Sequence, residues 1–198
     1  LNYAENVLKK LYKEYKIPNV IRGYPSLDER IQIINANIIK SENLTVFFNT
    51  ANMCLVLGNI SSSKKLYEDI LKNEFTTKEI FNNLGLAYLI EALNNSPENI
   101  KKYNYPFFFE NNTFADLKRS RSSNINDPLK LLKTAINYFE LSMEIDPLYE
   151  NPKLNILICE LISNIISNKL PENYYNKLGL EKIEDKAKLN DLRNLFYF

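Results

Sequence analysis

The sequence predicts an all-α chain built from stacked antiparallel helix pairs, and three observations carry that prediction. Apolar residues recur at helical spacing from one end of the chain to the other. A pattern repeats after 34 positions, Phe47, Thr50, Ala51 and Cys54 being answered by Phe81, Leu84, Gly85 and Tyr88. Helix-stopping residues, Gly58 and Pro147 among them, fall at the ends of the periodic stretches. An ordinary helix bundle shares the first observation but supplies no reason for a 34-residue register.

Taken in order, residues 2 to 16 set Tyr3, Val7, Leu8, Leu11, Tyr12 and Tyr15 on one helical stripe, closed by Pro18. Ser26 and Glu29 have the spacing of a capping box, in which hydroxyl and carboxylate satisfy each other's orphan backbone donors. Ile31, Ile34, Ile38 and Ile39 then form the apolar face of a second helix. Two further helices, over about 44 to 57 and 62 to 73, meet at Gly58-Asn59, read as a left-handed turn pair. Phe81 to Tyr88 opens the next helix, Ala135 to Ser142 lies on another that Asp146-Pro147 ends, and Asn155, Ile156 and Ile158 begin one more. Residues 171 to 198 give one or two closing helices.

These residues resemble the tetratricopeptide repeat family. Its first helix takes an aromatic, a leucine, a small residue and a tyrosine, which Phe81, Leu84, Gly85 and Tyr88 supply. The small residue lets a neighbouring helix approach closely. Its second helix takes a small residue, an aromatic, a second small residue and an Asp-Pro stop, matched by Ala135, Phe139, Ser142 and Asp146-Pro147. In the preceding unit Tyr67 holds the aromatic place, while Ser63 and Ile70 depart from the pattern. Tyr88 and Ala135 stand 47 positions apart where the family spacing is roughly nine, so 38 residues, from about Ala92 to Leu129, read as an insertion within one repeat. The resemblance implies a right-handed α-solenoid forming a single domain over 1–198. A degenerate helix pair (1–43) precedes a repeat (44–77), the interrupted repeat (78–147), a further repeat (148–170) and capping helices (171–198).

Composition removes most catalytic readings. The 198 residues include no histidine, which excludes Ser-His-Asp and Cys-His nucleophile systems, His-bearing zinc sites and HExxH helices. The four glycines are never closer than 27 positions, so neither a dinucleotide-binding turn nor a P-loop can be written. No acidic pair, neither Glu144 with Asp146 nor Glu181, Glu184 and Asp185, is set as acid against base. The chain therefore reads as non-catalytic, without cofactor or metal. Charge is balanced, 25 basic against 24 acidic residues, which counts against nucleic acid, RNA included, as partner. Cys54 and Cys159 read as buried apolar residues. The apolar stretch Leu154–Ile166 is interrupted by Asn155, Glu160 and Ser163, which argues against a membrane span. With no signal peptide visible the cytoplasm is favoured, although a chain opening on Leu1 reads as a fragment or processed form.

The resemblance also implies what the chain does. Such a repeat stack holds an extended peptide or partner helix along its first helices, where a recurring asparagine clasps the ligand's backbone amides. Asn49, Asn83 and Asn155 occupy that place here, and an asparagine amide, donor and acceptor at once, reads main chain whatever the ligand's side chains. With 29 asparagines in the chain, solvated residues on a helix surface are the competing reading. Thr45, Phe48, Asn52, Glu79, Asn82, Leu86 and Ile158 would be their neighbours, and the absence of Lys and Arg among them disfavours a clamp for a terminal carboxylate. In the insertion, Tyr103, Tyr105, Phe107, Phe108 and Phe109 crowd around Pro106, too apolar to stay in water alone; they either pack back on the helices or form a docking surface or lid. Lys118, Arg119 and Arg121, among serines, form a solvated loop or a contact for an acidic partner. The function expected is a protein-interaction scaffold binding a peptide segment or protein partner. The alternative is an accessory or regulatory, substrate-holding domain of a larger enzyme.

Overall fold

The structure, a computed structural model, describes residues 2–101, 105–109 and 126–168. The helices expected over 171–198, Tyr103 and the basic run at Lys118–Arg121 lie outside the described residues. Helix accounts for 76% of what is described, with no strand there, so the chain is all-α. Seven helices occur among the described residues: α1 (Asn2–Glu14), α2 (Leu27–Val56), α3 (Ile60–Lys72), α4 (Lys78–Asn94), α5 (Glu98–Lys101), α6 (Pro128–Ile145) and α7 (Glu150–Ile166). They fall into two compact units, Leu1–Phe47 and Phe48–Phe198.

In the first unit the capping box forms as its spacing requires. The Ser26 backbone N–H donates to Glu29 Oε2 at 2.7 Å and the Glu29 N–H donates back to Ser26 Oγ at 3.3 Å, which starts α2. Arg30, one residue on, donates to the Pro25 carbonyl at 2.9 Å and sets its guanidinium 5.9 Å from the Tyr12 ring and 6.0 Å from that of Tyr24. Tyr12 is buried there, but Tyr3, Val7, Leu11 and Tyr15 of the same stripe stay exposed.

Helix α2 differs from expectation by running unbroken past Leu44, where a new helix was to begin. Nothing between Lys40 and Phe47 stops it: there is no Gly or Pro, and the Thr45 hydroxyl donates to the Ser41 carbonyl one turn back at 2.9 Å. Its end comes at Gly58, in the left-handed region at φ 81°. The Gly58 N–H donates to the Leu55 carbonyl at 3.1 Å and the Asn59 N–H to that of Cys54 at 2.8 Å, the paired bonds of a Schellman ending. Asn59 itself is not left-handed; at φ −82° it caps α3, its side chain accepting from the Ser62 N–H at 3.2 Å. One dipeptide thus closes one helix and opens the next.

The second unit is organised around α4, whose residues from Asn82 to Ala87 and from Leu89 to Leu93 are all buried. Such all-round burial needs neighbours on several sides, and α3, α6 and α7 provide them. Helix α6 starts on an Asp127 cap with Pro128 in its first turn and stops at Asp146, held extended by the following Pro147. It lies antiparallel to α4. Ser142, near its end, donates to the Lys78 carbonyl at the start of α4 at 2.7 Å, and Lys78 Nζ reaches Asp146 at 2.7 Å. At the opposite end Asn126 donates to Glu91 at 2.9 Å. Midway, a Cβ built on Gly85 would stand 2.6 Å from Cε1 of the fully buried Phe139 ring, so only glycine permits this approach.

Candidate functional site

Four of the asparagines buried in the second unit form one connected cluster. Asn52 near the end of α2, Asn82 and Asn83 on α4, and Asn155 on α7 have almost no exposed surface. Neighbouring positions on α4 put the Asn82 and Asn83 side chains about 100° apart around the helix, so they face different neighbours. Asn83 donates to Asn52 Oδ1 at 3.1 Å, and the Tyr67 hydroxyl on α3 donates to the same oxygen. Burial pushes the Tyr67 phenol well above its ordinary value, which keeps the hydroxyl a donor. On the other side, Asn155 Nδ2 donates to Asn82 Oδ1 at 3.0 Å, and Asn82 Nδ2 donates to Asn83 Oδ1 at 3.2 Å.

What the cluster grips is main chain. The Phe108 N–H donates to Asn155 Oδ1 at 3.1 Å, and the Phe108 carbonyl accepts from Asn155 Nδ2 at 3.0 Å and from Asn82 Nδ2 at 3.0 Å. A single amide therefore reads both polar groups of one residue, and a second amide shares the carbonyl. Both hydrogens of each Nδ2 are used, leaving nothing for water to supply. Phe108 lies in the aromatic segment Tyr105–Phe109, which is neither helix nor strand. The segment is anchored twice more: the Phe108 side chain is buried, and buried Tyr105 donates its hydroxyl to the Ile100 carbonyl at 3.1 Å. Tyr105 and Phe108 thus pack back on the helices, in line with the first of the two readings the sequence allowed, while Phe107 and Phe109 stay half-buried.

The six expected site residues separate. Asn83 and Asn155 meet through Asn82, and Asn52 joins them, whereas Asn49 is exposed and outside the cluster. Leu86 and Ile158 are fully buried, so neither presents a surface to solvent in this arrangement. Thr45 is exposed, Phe48 and Glu79 are half-buried, and the Phe48 ring meets that of Tyr67 edge-on at 6.1 Å. The sequence marks Asn82 only as a neighbour of these positions and does not reveal Phe108 as what the asparagines hold. The density of aromatics around Pro106 was the available signal.

A second polar group flanks the first. Lys64 on α3 pairs with Glu91 on α4, and its ammonium lies 4.4 Å from the Tyr88 ring centre. Tyr138 on α6 stacks between Tyr88, at 5.5 Å, and Phe81, at 6.3 Å. The Tyr88 hydroxyl donates to Glu68 at 3.1 Å, and burial followed by that carboxylate raises its phenol above the usual range. Cys159 is buried, which pushes its thiol up and leaves it inert, whereas Cys54 is only half-buried, short of the burial expected; both are free. Among the described residues no helix is long and apolar enough to cross a membrane.

Comparison with known proteins adds no relative: no family model, no curated protein and no solved structure matches the chain.

Proposed function

We propose that this chain is a non-catalytic protein-interaction module, a divergent tetratricopeptide-type right-handed solenoid that holds a segment of a partner protein along its asparagine-bearing helices. The observation that carries the reading is the grip of Asn155 and Asn82 on both polar groups of Phe108. Side-chain amides directed at main chain recognise a peptide by its backbone, which suits a ligand in non-helical conformation and tolerates variation in its side chains. The 34-residue register and the close approach of α4 and α6 at Gly85 support the repeat assignment.

Selection of peptides from a displayed random library on the immobilised chain tests this. Peptides are expected to be enriched, and their binding to be lost when Asn82 and Asn155 are both replaced by alanine while the far-ultraviolet circular dichroism stays helical. No enrichment, or equal binding by the double variant, contradicts the reading.

A further inference from the structure

We infer that the Asn82–Asn155 site is occupied by a competitor built into the chain, the segment Tyr105–Phe109, and that its external ligand is a peptide of the same chemistry: a proline followed by consecutive aromatics. The inference rests on the interaction reading above and deepens it by naming the ligand class.

Three observations carry it. First, the asparagine side chains are fully buried and their contacts to the segment are main-chain contacts at a single residue, Phe108. If the segment departed, Asn155 Oδ1 would lose its donor, and both Nδ2 groups would lose an acceptor. Each group so orphaned goes unpaired unless water or another backbone takes the place of the segment. A chain offering an N–H and a C=O in the same relation restores all three bonds at once.

Second, the side chains around the clamp set its selectivity. Phe108 and Tyr105 are buried, while Pro106, Phe107 and Phe109 are half-buried. Pro106 fixes its own φ and biases Tyr105 away from helix, which presents the following aromatics in a non-helical chain ready for the clamp. A ligand lacking a large apolar side chain at the clamped position forfeits that burial. Third, the segment reaches Asn82, 26 positions before Phe108, and Asn155, 47 positions after it, so it ties together two helices remote in sequence. A resident segment at this place limits access: the affinity for an outside peptide is reduced by the fraction of molecules in which the site is open.

The probe is a fluorescein-labelled synthetic peptide spanning residues 102 to 112, titrated by anisotropy into the full chain and into Phe108→Pro. Proline removes both the N–H that Asn155 accepts and the buried ring, loosening the resident segment with no substitution on any helix. The variant is expected to bind the peptide at least tenfold more tightly than the natural chain, and a peptide carrying proline in place of Phe108 to bind neither. Equal affinity for natural chain and variant, or undiminished binding of the proline-bearing peptide, overturns the inference. A measurement on the natural chain removes any dependence on how the variant folds: excess peptide should accelerate hydrogen exchange at the Phe108 amide at least tenfold, and unchanged exchange overturns the inference equally. Library peptides of unrelated sequence that bind through Asn82 and Asn155 equally in both proteins would leave the interaction reading standing and remove this inference alone.

Discussion

Helix α1 carries a clear amphipathic stripe and buries little of it, whereas α4 carries no stripe and buries nearly everything. On α1, Tyr3 is 83% and Leu11 41% exposed, and only Tyr12 is buried. On α4, leucines and isoleucines stand on all sides beside Asn82, Asn83 and Glu91, and all are buried. An apolar stripe says which face would be covered, not that something covers it. Apolar residues on every side say instead that the helix has neighbours all round, and α3, α6 and α7 are those neighbours. The polar residues inside such a helix are then the informative ones, because each must find a partner there.

The contrast can be broken most forcefully at Phe139. Phe139→Ala should cost about 3–5 kcal/mol through transfer and cavity terms. Leu11→Ala on α1, at 41% exposure, should stay within about 0.5 kcal/mol. Urea unfolding of both variants checks this, and similar losses would contradict the contrast.

Next come the asparagines. Asn155→Leu leaves the Phe108 N–H without its acceptor and strands the oxygen of Asn82, and should cost roughly 1–3 kcal/mol for each group orphaned. Asn49→Leu, on an exposed position of α2, should change stability by less than about 0.5 kcal/mol.

Gly85→Ala pits two terms against each other. A Cβ at 2.6 Å from the Phe139 ring overpacks the α4–α6 contact at a cost of about 1–3 kcal/mol, offset by about 1 kcal/mol of helix propensity. The net effect should be destabilising. Combining it with Phe139→Leu should recover part of the loss, giving a double-mutant coupling of at least about 0.5 kcal/mol, and strict additivity would deny the contact.

The smallest effect is electrostatic. The hydrogen bond from Lys78 holds the Asp146 carboxyl below its ordinary value, as Lys9 does for Glu5 on α1. A depressed carboxylate stabilises the fold above its unfolded-state pKa, and that contribution disappears as pH falls through the lowered folded-state value. The natural chain should therefore lose stability on acidification from pH about 5 downward. Asp146→Asn should show a shallower decline in urea midpoint, and an identical decline would mean that the pair contributes nothing.

The helix punctuation was legible because it is local chemistry. Ser26 with Glu29, Gly58, and Asp146-Pro147 each act within a few residues, and each starts or stops a helix where its spacing implied. Continuity of α2 was not legible, since an amphipathic pattern that starts afresh at Leu44 looks alike in one helix or two. The place of Asn49 was taken by Asn52 for a related reason. The two lie about 60° apart around the helix, so a 34-residue register that ignores a small rotation selects the wrong neighbour for Asn83. The grip on Phe108 depends on residues 47 positions apart, a distance no local pattern spans.

The central claim, that buried asparagines hold a main-chain segment as they would a ligand, is tested most directly by native-state hydrogen exchange at the Phe108 amide. The bond to Asn155 predicts exchange slowed at least a hundredfold relative to an unstructured peptide, and accelerated in Asn155→Ala. Exchange at the unstructured rate in the natural chain, or unchanged by that substitution, would contradict it.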